Sequence, residues 1–131
     1  MGIWLGSCHC GAVRFRVEAE IAELTRCDCS LCRRKGALMA QVPERGVQIL
    51  AGEDALALYQ WNTGVARHYF CRVCGIYPFH RKRAAPDHYG VNVGCLEDFD
   101  AAAYPLRLAD GASMTVAHDN ARPEWTGPRQ A

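Results

Sequence analysis

The 131-residue sequence lacks the features that would assign it to several common classes of protein. No apolar run approaches the roughly 20 residues that a membrane-spanning helix needs, so we expect no membrane segment. Residues 1–7 lack the basic stretch and the long apolar stretch of a signal peptide, and we therefore expect a cytoplasmic protein. Basic residues do not dominate, because the formal net charge is +1, and this argues against nucleic acid as a partner.

Internal repeats, low-complexity tracts and linkers are missing as well. A chain of this length usually builds one hydrophobic core, and half of its residues are hydrophobic. We therefore predict one domain over residues 1–118. The remaining residues, 119–131, contain two prolines and a glycine with little periodicity, which predicts a C-terminal tail.

Short strands account for most of the patterned sequence. From Val13 to Val17, apolar residues alternate with charged ones, which is the period of a half-buried strand. Turn residues separate the other predicted strands, which are residues 36–42, 47–50, 58–61, 66–70 and 89–93. Helix is limited to a turn over residues 30–35, capped by Ser30, and another near residues 96–103. The pattern is typical of an all-β fold.

Eight cysteines are many for a chain of this size, and seven of them fall into three motifs. The motifs are a CxC, a CxCxxC and a CxxC, formed by Cys8 and Cys10, by Cys27, Cys29 and Cys32, and by Cys71 and Cys74. A disulfide framework is disfavoured, because no secretory signal is present and a CxC pair is too close in sequence for normal disulfide geometry. Thiolates at these spacings are typical zinc ligands, so we predict metal binding.

Ligand counting favours one partition of the seven thiolates. A closed tetrahedral zinc site needs four ligands, and the CxC and the CxxC together supply a four-cysteine group: Cys8, Cys10, Cys71 and Cys74. The CxCxxC supplies a three-cysteine group, which leaves one position open for water or substrate: Cys27, Cys29 and Cys32. Connectivity cannot be derived from sequence alone, so Cys95, His9, His68 or His80 stays open as a further ligand that would close the second site.

Several stretches, taken in order, resemble one known family. They are residues 6–15 (GSCHCGAVRF), 27–36 (CDCSLCRRKG), 59–63 (YQWNT), 68–75 (HYFCRVCG) and 91–96 (VNVGCL). This pattern is similar to that of the glutathione-dependent formaldehyde-activating enzyme family, which also includes centromere protein V, over roughly residues 5–118. The resemblance implies a mainly β, Mss4-like fold of several small coiled β-sheets stabilised by zinc, with little helix.

The resemblance also implies site residues and an activity. It matches the four-cysteine group to structural zinc ligands and the three-cysteine group to a second, catalytic zinc, so two zinc ions per chain are expected. The implied reaction is the addition of glutathione to formaldehyde, which gives S-hydroxymethylglutathione and is classed with the carbon–sulfur lyases. A small thiol such as glutathione is then the expected partner, and Arg33, Arg34 and Lys35 are candidates to offset thiolate charge or meet substrate carboxylates.

Residues outside the cysteine motifs have simpler interpretations. His68 is favoured as a packed or surface histidine, with a proton donor near the zinc as the alternative. The basic run that begins at His80 is predicted as a solvated loop, with anion binding as the alternative. Cys95 is favoured as a small buried residue rather than a ligand, and Tyr59 and Trp61 as core.

Two further functions stay open beside the enzyme. A zinc-stabilised binding module would use the same framework for interaction without catalysis. A redox-sensing or metal-handling protein would use the clustered thiolates directly. The three-cysteine group favours the enzyme, because a purely structural zinc fold has no need of it. The oligomeric state is not determined by the sequence.

Overall fold

The computed structural model describes residues 1–61, 65–82 and 85–113. In this part of the chain the strands and the helix, in order, are β1 Gly2–Ser7, β2 Arg14–Ala19, β3 Leu24–Cys27, α1 Ser30–Lys35, β4 Met39–Pro43, β5 Val47–Ala51, β6 Leu56–Tyr59, β7 Arg67–Cys71, β8 Phe79–Arg81, β9 His88–Asn92 and β10 Leu106–Ala109. The expected mainly β fold with little helix is confirmed. The predicted tail over residues 119–131 lies outside the described residues, and so do residues 62–64 and 83–84.

The strands form two sheets within the described ranges. A three-stranded antiparallel sheet has the order β1-β2-β5, and a seven-stranded sheet has the order β10-β3-β4-β9-β8-β7-β6. Neighbours in the larger sheet pair antiparallel except at its edge, where β10 runs parallel to β3 and places Ala109 opposite Cys27. That parallel pair brings the end of β10 beside the CxCxxC motif.

The core lies where the two sheets meet. On β2, Phe15 and Val17 are fully buried while Arg16 between them points outward, as the alternation predicts. The Phe15 ring meets the edge of the Phe79 ring, on β8 of the larger sheet, at a centroid distance of 5.3 Å. This contact joins the two sheets. Burial of one such aromatic side chain stabilises the fold by roughly 1.5–3 kcal/mol.

Local chemistry moves several predicted boundaries. The strand predicted over residues 36–42 begins only at Met39, because Gly36 ends α1 in the left-handed conformation with φ of 64°. The cap of α1 is Cys29 rather than Ser30, since the Cys29 sulfur accepts a hydrogen bond from the N–H of Cys32. The second helical turn, predicted near residues 96–103, is a 3-10 turn limited to Ala101–Ala103.

Within the described residues, no helix has the length and apolar character required to cross a membrane.

Candidate functional site

The four-cysteine group comes together at the end of the three-stranded sheet. Its four sulfurs lie within 4.8 Å of one another. The Sγ atom of Cys10 lies 3.6 Å from that of Cys8 and 3.7 Å from that of Cys71. Four thiolates placed about 2.3 Å from one zinc ion in a tetrahedron are separated by roughly 3.8 Å, so this donor set fits zinc in both spacing and chemistry.

Two tight turns direct these sulfurs toward one another. Gly11 and Gly75 directly follow the two motifs and have φ of 82° and 80°, a backbone conformation that residues other than glycine rarely adopt. The Cys8 sulfur also accepts a hydrogen bond from the N–H of Val13 at 3.3 Å, which favours the thiolate form. Cys8 and Cys71 are buried, so the group is anchored in the core.

The three-cysteine group lies at the start of α1. Cys27 ends β3, Cys29 caps the helix, and Cys32 lies within its first turn. The three sulfurs also lie within 4.8 Å of one another. The Cys27 sulfur accepts from the N–H of Cys29 at 3.4 Å, and the Cys29 sulfur accepts from that of Cys32 at 3.2 Å. The neighbouring thiols hold the pKa of Cys29 far below its ordinary range, so its thiolate is available to a metal.

A loop that follows β10 packs against this group through two residues that the sequence did not single out. The Asp28 carboxylate accepts hydrogen bonds from the N–H groups of Gly111, at 2.7 Å, and Ala112, at 2.9 Å. A Cβ atom at Gly111 would lie 2.5 Å from the Cys27 sulfur. Gly111 therefore permits the loop to lie against the sulfurs, and Asp28, between Cys27 and Cys29, supplies its anchor.

The three-cysteine group opens onto a cavity of about 330 Å³. This volume lies within the range of small-molecule sites. Its walls carry two histidines, two cations and the ring of one tryptophan: His68, His80, Lys82, Arg107 and Trp61. The cavity therefore places a sulfur-rich floor next to basic and aromatic walls.

This arrangement corrects three predictions. Trp61 lines the cavity instead of the core, and Tyr59 is 48% exposed at the edge of the sheet. His80 belongs to β8 and not to a solvated loop, because strand alternation directs it into the cavity while Arg81 binds Glu44 on the other face. The basic residues in this run masked the period-two pattern of a strand.

A buried polar cluster includes the two histidines of the cavity wall. The Lys35 Nζ atom lies 2.8 Å from Nδ1 of His68 and 3.3 Å from the centre of the Tyr77 ring. The Tyr77 hydroxyl is hydrogen-bonded to Nδ1 of His80. Burial lowers the pKa of His68 to about 4 and that of His80 to about 3, so both imidazoles are neutral at pH 7.

The remaining candidates are distributed around the site. Arg33 and Arg34 are exposed on α1, and only Lys35 turns inward. His9 is exposed. Cys95 is buried, and its thiol donates to the carbonyl of Tyr77 at 3.9 Å. Among the described residues, neither Cys95 nor any histidine joins either group of converging sulfurs, so the three-cysteine group has no fourth protein donor there.

Known proteins resemble the chain in both sequence and fold. The family model described as glutathione-dependent formaldehyde-activating enzyme matches residues 4–109. A Halomonas elongata protein, provisionally named as an enzyme of that kind, is 33% identical over 78 residues, which make up 53% of this chain and 50% of that protein. The match thus spans about half of the length of this curated relative. A crystal structure of a Rhodobacter sphaeroides protein superposes with a TM-score of 0.73 and 44% identity, over 79% of this chain and 99% of that one.

Proposed function

The chain belongs to the glutathione-dependent formaldehyde-activating enzyme family, and we propose that it is a zinc-dependent enzyme that joins a small thiol such as glutathione to formaldehyde or a related small aldehyde. The reaction is of the carbon–sulfur lyase type when written in reverse. One observation carries the proposal. Three sulfurs without a fourth protein donor among the described residues form the floor of a cavity large enough for a small molecule.

The two cysteine groups divide the proposed metal binding. The four-cysteine group would hold a structural zinc ion, since it offers four donors. The three-cysteine group would hold a second zinc ion, giving two per chain. When bound there, zinc would favour the thiolate form of an incoming thiol and polarise a carbonyl oxygen.

The chain's own residues would bind and orient the thiol substrate. Glutathione carries two carboxylates, and two cations lie on the cavity wall to meet them. Lys82 donates to the side-chain oxygen of Gln41 at 2.8 Å, which directs its ammonium group, and Arg107 is directed by Glu23 at 3.1 Å. Positive charge and the cysteine sulfurs therefore line the same cavity.

A cytoplasmic location forms part of the proposal. All eight cysteines are free. Free thiols persist in reducing compartments, where glutathione is abundant, whereas secreted proteins tend to form disulfides. The proposed use of glutathione and the free cysteines of the chain therefore both require a reducing compartment such as the cytoplasm.

Exchange spectroscopy with ¹³C-formaldehyde and glutathione tests the proposed reaction. The zinc-loaded protein is expected to accelerate the exchange between hydrated formaldehyde and its hemithioacetal with glutathione, S-hydroxymethylglutathione, above the spontaneous rate. Cys32→Ala, on the cavity floor, should abolish the acceleration, while Cys95→Ala, the matched change outside both groups, should retain it. Exchange at the spontaneous rate with two zinc ions bound would overturn the enzyme in favour of a zinc-stabilised binding module or a thiolate redox protein.

A further inference from the structure

Two histidines on neighbouring strands present their rings to the same cavity. His68 on β7 and His80 on β8 are directly opposite each other in the antiparallel register. Their rings stack with centroids 5.0 Å apart and planes inclined by 24°. Because opposite residues of an antiparallel pair point to the same face, both rings border the cavity that the three-cysteine group floors.

The hydrogen-bond partner of His68 determines which nitrogen of its ring carries the hydrogen. An ammonium group has three hydrogens and no lone pair, so Lys35 can only donate. Burial lowers the pKa of Lys35 to about 8, which still leaves it mainly protonated at pH 7. Nδ1 of His68, 2.8 Å from Lys35 Nζ, is therefore the acceptor. A neutral imidazole that accepts at Nδ1 carries its hydrogen on Nε2.

His80 is held in the same form by a different donor. The Tyr77 hydroxyl is hydrogen-bonded to Nδ1 of His80, and burial raises the pKa of Tyr77 well above its ordinary value, so the hydroxyl keeps a hydrogen that it can donate. With the hydroxyl as the donor, the hydrogen of His80 is also on Nε2. The ring packs on Gly90 of β9, where a Cβ atom would lie only 2.4 Å from the ring carbon Cε1, so the absence of a side chain at Gly90 leaves room for the ring.

We propose that His68 and His80 form a pair of neutral N–H donors that binds the aldehyde oxygen and stabilises the negative charge that develops there during thiol addition. This inference rests on the proposed function. In the step, the thiolate sulfur forms a bond to the carbonyl carbon, the π electrons of the C=O bond move to oxygen, and the proton that the thiol gave up ends on that oxygen. Lys35 and Tyr77 are positioning residues, which act only by keeping the hydrogens on Nε2.

The electrostatics of the cavity suit neutral donors. The floor carries three cysteine sulfurs, and an incoming thiolate adds negative charge beside them. Charge developing on oxygen beside these sulfurs needs compensation that is already oriented, because water is a poor substitute in a confined site. Removal of one such donor from an enzyme typically lowers kcat by about 100- to 1,000-fold. The donor pair thus has a measurable expected effect.

Nitrogen NMR on the intact, zinc-loaded protein tests the hydrogen positions without any activity. With ¹⁵N-labelled histidine, both rings should show hydrogen on Nε2 and a bare Nδ1, and Tyr77→Phe should shift His80 alone toward a mixture of tautomers. Hydrogen on Nδ1 of either ring would overturn the pair. Titration with formate, a stable one-carbon oxyanion, should then move both Nε2 signals, and no movement would also overturn it.

Kinetics test the role of the donors in the reaction. His80→Phe keeps a stacked ring without the donor, and should lower kcat about 100-fold or more while the affinity for glutathione and the zinc content stay unchanged. His80→Gln, which retains an N–H group, should recover part of the loss. His88→Gln, outside the cavity, is the control and should match the parent. His80→Phe removes the partner of the Tyr77 hydroxyl, which could prevent folding. In that case the double variant His80→Phe/Tyr77→Phe, which removes the hydroxyl as well, is measured instead.

The outcomes separate the two proposals. Full kcat in a folded His80→Phe variant of an active parent would overturn the donor pair and leave the proposed function standing. An inactive parent with the expected tautomers and formate shifts would overturn the thiol–aldehyde reaction. It would support the pair as an oxyanion site for another substrate.

Discussion

Removal of metal from the four-cysteine group is expected to unfold the protein. The group joins two parts of the chain that are distant in sequence, since Cys10 and Cys71 are 61 residues apart and their sulfurs lie 3.7 Å from each other. Closure of a loop of this length in the unfolded chain corresponds to about 4 kcal/mol. Binding of a structural zinc contributes on the order of 10 kcal/mol in total.

These magnitudes determine the outcome because a domain of this kind is stable by only about 5–15 kcal/mol. Loss of the metal therefore consumes most or all of the stability of the fold. Cys71→Ala should melt near the temperature of the chelated protein. Cys95→Ala is the matched control, because it makes the same change at another buried cysteine outside both groups, and should cost about 1 kcal/mol.

The assay is thermal and urea denaturation followed by circular dichroism, with zinc content measured on the same samples. Protein freed of metal by a strong chelator should lose its cooperative transition, and the transition should return on addition of zinc. Unchanged circular dichroism and melting in verified metal-free protein would refute the structural role. So would equal stabilities of Cys71→Ala and Cys95→Ala in excess zinc.

Other substitutions test the remaining steps. Gly111→Ala should reduce retention of the second zinc ion through gel filtration with little change in melting, because its Cβ would meet the Cys27 sulfur at 2.5 Å; full retention would contradict the covering role of the loop. Phe15→Ala should destabilise the fold by about 3–5 kcal/mol in urea titrations, and a loss below 1 kcal/mol would show that the two sheets do not depend on this contact. Acid should destabilise the protein between pH 6.5 and pH 4, because burial lowers the pKa of His68 and His80 in the folded state, whereas both become protonated in this interval when the chain is unfolded. The variant with Gln at both positions should lose less stability over this interval. An equal loss would exclude the two rings as the cause.

The sequence was most informative where chemistry is local. Motif spacing separated the cysteines into the same groups of four and three that the structure brings together, because a CxC or CxxC turn directs its own sulfurs to one point. Alternation likewise revealed β2, where apolar residues from Phe15 to Ala19 face the core. The ligand roles themselves remain predictions until metal is measured.

Long-range features left no such local signal. β10 was missed because it is only four residues long, Leu106 and Leu108 are exposed, and its partner β3 lies some eighty residues earlier in the chain. The cavity wall was missed for a related reason. His80 and Tyr77 acquire their roles only when β7, β8 and β9 lie side by side, and their sequence neighbours are basic or apolar without a period.

Helix α1 connects the three-cysteine group to the donor pair. A helix of six residues is too short to be stable by its own hydrogen bonds, so contacts at its two ends hold it in place. Cys29 caps its start and belongs to the sulfur group, while Lys35 at its end reaches His68. Metal binding at the first end would therefore help to fix Lys35, which sets the His68 tautomer at the other end. The cavity floor and the cavity wall are organised by one structural element, so an intact cluster and a correctly protonated wall form together.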